Sequence, residues 1–226
     1  MSTATRTESG THRALREHVA ALHGHLVTNG LVAWTAGNVS ERVPGEDLFV
    51  IKGSGVDYAG LTWEGITVCD LDGEVVDGVR APSSDTAAHA HVYRHMAGVG
   101  GVAHTHSAYA TAWAARGEPI PCVLTAMADE FGGPVPVGPF ALIGDDSIGR
   151  GIVATLDGHR SPAVLMQNHG VFTIGADGRA AVKSAVMVED VARTVHLARQ
   201  LGEPLPIARS DVDSLWQRYQ TAYGQR

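Results

Sequence analysis

The stretch Gly100-Gly101-Val102-Ala103-His104-Thr105-His106-Ser107 constrains this chain more than any other. An apolar run behind a Gly-Gly pair reads as a buried strand, and residues i and i+2 of a strand point to the same face. His104 and His106 are therefore predicted to project together from the strand's end. Two imidazoles held there at a fixed separation can take two corners of a metal site. Two hydrogen-bonded histidines at a strand end would leave the same pattern, so the pair does not decide alone. A second buried-strand pattern, Ser161 to Gln167, ends in Asn168-His169-Gly170. His169 shares the pair's setting, with small or polar neighbours and a glycine that lets the backbone turn, and is the candidate third ligand.

Other elements punctuate the chain around this strand. Leu15, Val19, Leu22, Leu26 and Val27 recur at helical spacing between Thr11 and Asn29, and Asn29-Gly30 supplies the stop. Leu31 to Val43 reads as two strand-like pieces divided by Thr35-Ala36-Gly37-Asn38-Val39-Ser40. Leu48 to Lys52 is a strand. Gly53-Ser54-Gly55 after it would turn backbone N–H groups outward beside a hydroxyl and the Lys52 ammonium, the chemistry of an anion nest, although an ordinary Gly-Ser turn fits too. Neither nucleotide-binding glycine fingerprint matches here.

Thr62-Trp63-Glu64 starts a helical turn, and Ile66 to Val76 is a hairpin folded at Asp72-Gly73. Ala81-Pro82-Ser83-Ser84-Asp85 opens a helix running to about Met96. The Ser83 and Ser84 hydroxyls at that helix start suit a phosphate, or Asp85 or Ser84 caps the first turn. Ser107 to Arg116 is a helix. Ala126 to Gly133 reads as a glycine-rich loop holding Asp129 and Glu130 among apolar residues, where a carboxylate's pKa is readily tuned. Val135-Pro136-Val137 is an edge strand, Asp145 to Leu156 a helix, Val171 to Ile174 a strand, and residues 178–201 carry the longest helical pattern. A last helix starts at Asp211. Strands and helices interleave throughout, so the class is α/β, with helices covering a central sheet.

Composition narrows the function classes. The 226 residues, 44% hydrophobic and 18% charged, suit a single domain over 11–226, behind a polar, aperiodic segment 1–10 expected to be disordered. A formal net charge of −7 with scattered Lys and Arg gives no electrostatic footprint for nucleic acid. No apolar run approaches the ~18 residues of a spanning helix and no signal-peptide layout opens the chain, so no membrane role and a cytoplasmic location are expected. Cys69 and Cys122 read as reduced thiols. His18, His23, His25, His89, His91, His95 and His196 fall on predicted helices, where solvated or hydrogen-bonded roles are expected.

Taken in order, Gly37-Asn38-Val39-Ser40, Ile51-Lys52-Gly53-Ser54-Gly55-Val56-Asp57, Pro82-Ser83-Ser84-Asp85-Thr86, His104-Thr105-His106-Ser107, Asn168-His169-Gly170 and Tyr223-Gly224-Gln225 resemble the motifs of the class II aldolase/adducin family. The resemblance runs from about residue 13 to the end and is strongest toward the family's sugar-phosphate epimerases. It implies a three-layer α/β/α fold with a largely antiparallel central sheet. It also implies homotetramers of fourfold symmetry whose active sites are shared between adjacent subunits.

By the same resemblance, His104, His106 and His169 are metal ligands and Asp85 is the fourth ligand or its close partner. Asn38, Lys52, Ser54, Gly55, Ser83 and Ser84 form a cradle for the phosphate of a phosphorylated ketose. Asp129 and Tyr223 form an acid/base pair reaching the site from an adjacent subunit. The family's aldolases usually carry glutamate after Ser-Ser, so Asp85 favours an epimerase. The implied activity interconverts L-ribulose 5-phosphate and D-xylulose 5-phosphate by retro-aldol cleavage and re-addition at C3–C4. The implied cofactor is a divalent metal: zinc by the nitrogen-rich ligand set, with manganese or cobalt as alternatives. A class II sugar-phosphate aldolase of the L-fuculose-1-phosphate type, a related dehydratase or decarboxylase, and a non-catalytic adducin-like scaffold are the alternatives; the intact histidine triad speaks against the scaffold. Two departures stand out. Gly53 occupies a position where the family usually has proline, which is expected to loosen the phosphate loop, and no histidine falls near Val212-Asp213, where some epimerases carry one.

Overall fold

A computed structural model describes residues 10–222. Residues 1–9, most of the segment expected to be disordered, and residues 223–226, including Tyr223, lie outside the described residues. Among the described residues, eight strands form one sheet: β1 (Asn38–Arg42), β2 (Leu48–Lys52), β3 (Ile66–Asp70), β4 (Val75–Asp77), β5 (Gly101–Thr105), β6 (Val137–Gly138), β7 (Ala163–Met166) and β8 (Gly170–Gly175). Their order is β4-β3-β2-β1-β5-β8-β7-β6. Each neighbouring pair is antiparallel except β6 with β7. The helices are α1 (Arg13–Thr28), α2 (Thr86–His95), α3 (Ala108–Arg116), α4 (Thr125–Phe131), α5 (Ser147–Leu156), α6 (Gly178–Leu201) and α7 (Arg209–Ala222).

Side-chain alternation along the strands builds the layers. Phe49, Ile51, Val102, Val164, Met166 and Phe172 pack against Ala88, Val92 and Tyr93 of α2 and Ile148 and Ile152 of α5. The intervening residues Val39, Val50 and Ala103 pack against Val19, Leu22 and Leu26 of α1 and Ala181 and Ala185 of α6. Further along that second face, Ala163, Leu165 and Val171 meet α3 and the alanine- and valine-rich side of α6. The result is the expected three-layer α/β/α arrangement with a largely antiparallel sheet. Strand β5 is buried along its whole length. Its Gly-Gly entry has a packing cause, since a Cβ at Gly100 or Gly101 would land on the backbone of Ala176, Asp177 and Gly178 at the β8–α6 turn.

Two sequence expectations are corrected. Residues 31–37 form no strand: the Ala36 N–H bonds back to the Ala33 carbonyl at 3.0 Å, and Trp34 and Gly37 adopt φ of 54° and 82°. Residues 126–133 are not a loop but mostly helix α4, and the glycines serve its end, with Gly132 at φ 62° in the left-handed C-cap conformation. No disulfide joins Cys69 and Cys122. None of the described helices is long and apolar enough to cross a membrane.

Candidate metal and anion site

Antiparallel pairing brings the start of β1, the ends of β2 and β5 and the start of β8 to one end of the sheet. There His104 lies opposite Asn38 on one side and Phe172 on the other. Its ring stacks on Phe172 with centroids 4.1 Å apart. His106, just past the end of β5, and His169, in the β7–β8 turn, each place their rings 4.7 Å from His104. One ring nitrogen of each lies within 4.8 Å of the others, the one such group of three among the described residues. The turn at His169 is made by Asn168, at φ 58°. Gly170, expected to free the turn, is needed for close approach instead: a Cβ there would sit 2.6 Å from the Thr105 carbonyl oxygen and 3.1 Å from His106 Cδ2.

Burial lowers the pKa of all three rings, that of His104 to about 3, so they are neutral and present lone pairs. His104 Nδ1 donates to the Val171 carbonyl at 2.9 Å, which leaves Nε2 facing the centre. His106 Nε2 stands 2.9 Å from it. Two nitrogens on one tetrahedral zinc are about 3.3 Å apart, so a few tenths of an ångström of ring movement suffices.

Asp85 occupies the N-cap position of α2 but makes no capping bond. Its Oδ2 accepts from Asn38 Nδ2 at 2.9 Å and stands 4.0 Å from His104 Nε2. Burial pushes the Asp85 pKa up, but the facing histidines and the Asn38 amide outweigh it and the net direction is down. Asp85 Oδ1 and His169 Nδ1 are buried without a hydrogen-bond partner among the described residues. Three neutral imidazoles and an ionised carboxylate with unspent acceptor capacity are a fitting donor set for a divalent cation.

The same cavity, about 220 Å³, is lined on its other side by Asn38, Lys52, Ser54, Gly55, Ser83 and Ser84. Lys52 is buried, and its Nζ bonds to the Thr35 and Gly53 carbonyls at 3.3 and 3.4 Å. Burial lowers its pKa, the field of Asp57 opposing. A buried ammonium whose partners are carbonyls is left with charge for an incoming anion. The proposed backbone nest is corrected. The Gly53 N–H donates to Gly65 O and the Ser54 N–H to Ala81 O, both at 2.8 Å, so these two amides are spent holding the loop. At Gly53 a side chain would crowd the fold, since a Cβ would stand 2.8 Å from Arg80 Cβ. The polar lining here is made by side chains and Gly55, with Ser83 Oγ accepting from Asn38 Nδ2 at 2.9 Å.

Asp129 is not among the cavity residues. It lies on α4, where Arg218 of α7 approaches both its oxygens at 3.4 Å. Glu130 beside it is buried and bound to Lys183 Nζ at 2.7 Å and the Tyr219 hydroxyl at 2.6 Å. Asp213, where a histidine is absent, pairs with Arg160 at 2.6 Å. Sequence reasoning passed over Thr35 and Ile143, which also line the cavity; His89, expected to be solvated or hydrogen-bonded on a helix, is buried with Nδ1 2.7 Å from Ser40 Oγ.

The sequence profile described as the class II aldolase and adducin N-terminal domain matches residues 17–196. The chain is 38% identical over 204 residues to the L-ribulose-5-phosphate 4-epimerase UlaF of Salmonella paratyphi B, covering 84% of this chain and 88% of that protein. Among solved structures, an L-fuculose 1-phosphate aldolase superposes with a TM-score of 0.86 at 26% identity, covering 96% of this chain and 99% of that one. YgbL of Klebsiella pneumoniae superposes with a TM-score of 0.77 at 28% identity, covering 90% and 98%.

Proposed function

The chain belongs to the class II aldolase and adducin family, and from that premise we propose that it is a metal-dependent epimerase interconverting L-ribulose 5-phosphate and D-xylulose 5-phosphate. One observation carries the reading: the neutral histidine triad with Asp85 and the Lys52 and serine cluster line a single cavity, so a ketose and its phosphate can be held together. His104, His106 and His169 hold the cation and Asp85 completes or orients its surroundings. A divalent ion there, zinc by the donor set, supplies a Lewis acid for the ketone end of the substrate.

The protein's own groups do the rest. Lys52, Ser54, Ser83 and Ser84, with Asn38 and the Gly55 backbone, bind the phosphate. That grip matters because C4 is not α to the ketone: inversion requires the C3–C4 bond to break, with its electrons passing into the ketone half as the C4 hydroxyl proton leaves. The resulting aldehyde, still anchored by its phosphate, turns over and is attacked on its other face. Protons must therefore leave and return at the C4 oxygen on both faces. Apart from Asp85 and the three histidines, the one titratable side chain lining the cavity is Lys52, among the described residues. We assign the proton transfers to Asp129 and Tyr223 of an adjacent copy in a homotetramer.

The likeness to an L-fuculose 1-phosphate aldolase supports a second reading, the same bond cleavage with release of the aldehyde. Purified protein with added Zn²⁺ or Mn²⁺ and L-ribulose 5-phosphate decides between them. Accumulation of D-xylulose 5-phosphate without free aldehyde is the expected result; aldehyde appearing as fast as ketose disappears would replace epimerase by aldolase. Metal binding without turnover of any sugar phosphate would leave the scaffold.

A further inference from the structure

Tyr58 follows the Gly53-Ser54-Gly55 loop and does not line the cavity, yet it touches two of the parts that do. Its ring lies under the Lys52 ammonium, with Nζ 5.0 Å from the ring centroid. Its hydroxyl stands 2.7 Å from the Ala36 carbonyl oxygen and 2.9 Å from that of Gly37, and shares its one proton between them. The Thr35 carbonyl, in the same turn, accepts from Lys52 Nζ at 3.3 Å. Ring and turn therefore meet at one ammonium. The turn is itself packed closely against its surroundings, since a Cβ at Gly37 would stand 2.7 Å from Val32 Cγ1 and 2.8 Å from the His104 carbonyl oxygen. Burial raises the Tyr58 pKa, so the hydroxyl keeps its proton and remains a donor.

A buried lysine is usually paired with a carboxylate, which would cancel the charge that an incoming anion needs. Among the described residues no carboxylate bonds to Lys52, and Asp57 acts on it only through its field. An aromatic face attracts an ammonium without neutralising it, and carbonyls take up its N–H groups without adding net negative charge. Lys52 is thus supported where it is buried and still presents a positive charge to the cavity that it lines with Ser54, Ser83 and Ser84. We propose that Tyr58 is a positioning residue of the anion-binding half of the site: its ring supports the Lys52 ammonium while its hydroxyl fixes the 35–37 turn that holds the same group, leaving the charge directed at the substrate's phosphate. The inference rests on the reading of this cavity as a phosphate site.

The test titrates inorganic phosphate into zinc-loaded protein by calorimetry. Phosphate affinity is expected to fall about tenfold in Tyr58→Leu, which removes both ring and hydroxyl. Tyr58→Phe, which keeps the ring, is expected to lie between that variant and wild type. Zinc affinity by chelator competition is expected to stay unchanged in both, a split that general loosening of the fold would not produce. Unchanged phosphate affinity in folded Tyr58→Leu, or a parallel loss of zinc and phosphate, overturns the proposal. In wild type, the lysine ε-methylene proton resonance that persists in Lys183→Arg, that of Lys52, is expected to lie upfield of the usual lysine range through the ring current of Tyr58; an unshifted resonance overturns the proposal even if no Tyr58 variant folds. Lys52→Met separates the two levels. If it loses phosphate while Tyr58→Leu binds normally, the role of Tyr58 alone fails; if it binds like wild type, or if wild type binds no phosphate, the reading of the site fails with it.

Discussion

Acid should weaken this fold through His23 in a calculable way. His23 lies on α1 with its ring buried and both nitrogens spent: Nδ1 donates to the Val19 carbonyl at 2.7 Å, and Nε2 accepts the Val39 N–H at 2.9 Å. Burial outweighs the raising effect of the Val19 bond and lowers the pKa from 6.5 to about 3. The unfolded chain binds a proton here below about pH 6.5 while the folded chain does not. A depressed folded pKa means stability is lost as pH falls through that window. Each pH unit costs about 1.4 kcal/mol, so about 2 kcal/mol is lost between neutrality and pH 5 from this one ring. His23→Leu removes the titration but orphans the Val39 N–H, at about 1–3 kcal/mol at neutral pH. Urea unfolding of metal-free protein at one protein concentration, from pH 8 to 5, should show the variant less stable at pH 8 and the gap closing near pH 5. A gap constant across the range would refute a neutral, buried His23.

Replacing His104 by alanine, or stripping metal with a chelator, should abolish turnover while circular dichroism shows a folded protein, because an open catalytic site contributes less to folding than a closed structural one. Ser54→Ala with Ser83→Ala should raise KM for the phosphorylated ketose more than it lowers kcat, since the phosphate is remote from the bond that breaks; normal substrate binding by the double variant would remove the cradle. Gly53→Pro deletes the N–H donated to Gly65 and adds atoms where a Cβ already meets Arg80, so a stability loss of about 2 kcal/mol or more is expected in thermal melts. Mixed and refolded His104→Ala and Tyr223→Phe variants should regain about a quarter of wild-type activity if sites are shared in a closed ring; no recovery in verified hetero-oligomers would place Tyr223 elsewhere.

The parts legible in the sequence were those whose cause is local. Helix α6 and strand β2 follow from unbroken periodicity, and both occupy the expected residues. The triad could be read because strand geometry fixes the i to i+2 relation and both strand ends carry the ligands. Three positions turn on a distant partner. The apolar residues Leu31 and Val32 look like strand, yet the chain turns there to deliver Asn38 opposite His104. The amides of Gly53 and Ser54 look free until Gly65 and Ala81 arrive across the fold. Asp85 has the type and place of a helix cap, but Asn38, on strand β1, donates to its oxygen.

The position of β5 between β1 and β8 also governs when the metal centre can exist. His104 and Val171, hydrogen-bonded at the site, are 67 positions apart in the chain, and Asn38 and Asp85 must be brought in from other strands and loops. Such contacts form only after long loops have closed, late on the folding path. Burial of the apolar sheet faces must meet that loop-closure entropy without help from coordination. A nascent or unfolded chain then holds only scattered histidines, and the finished protein, exposed to whichever ions its surroundings offer, makes the choice of metal.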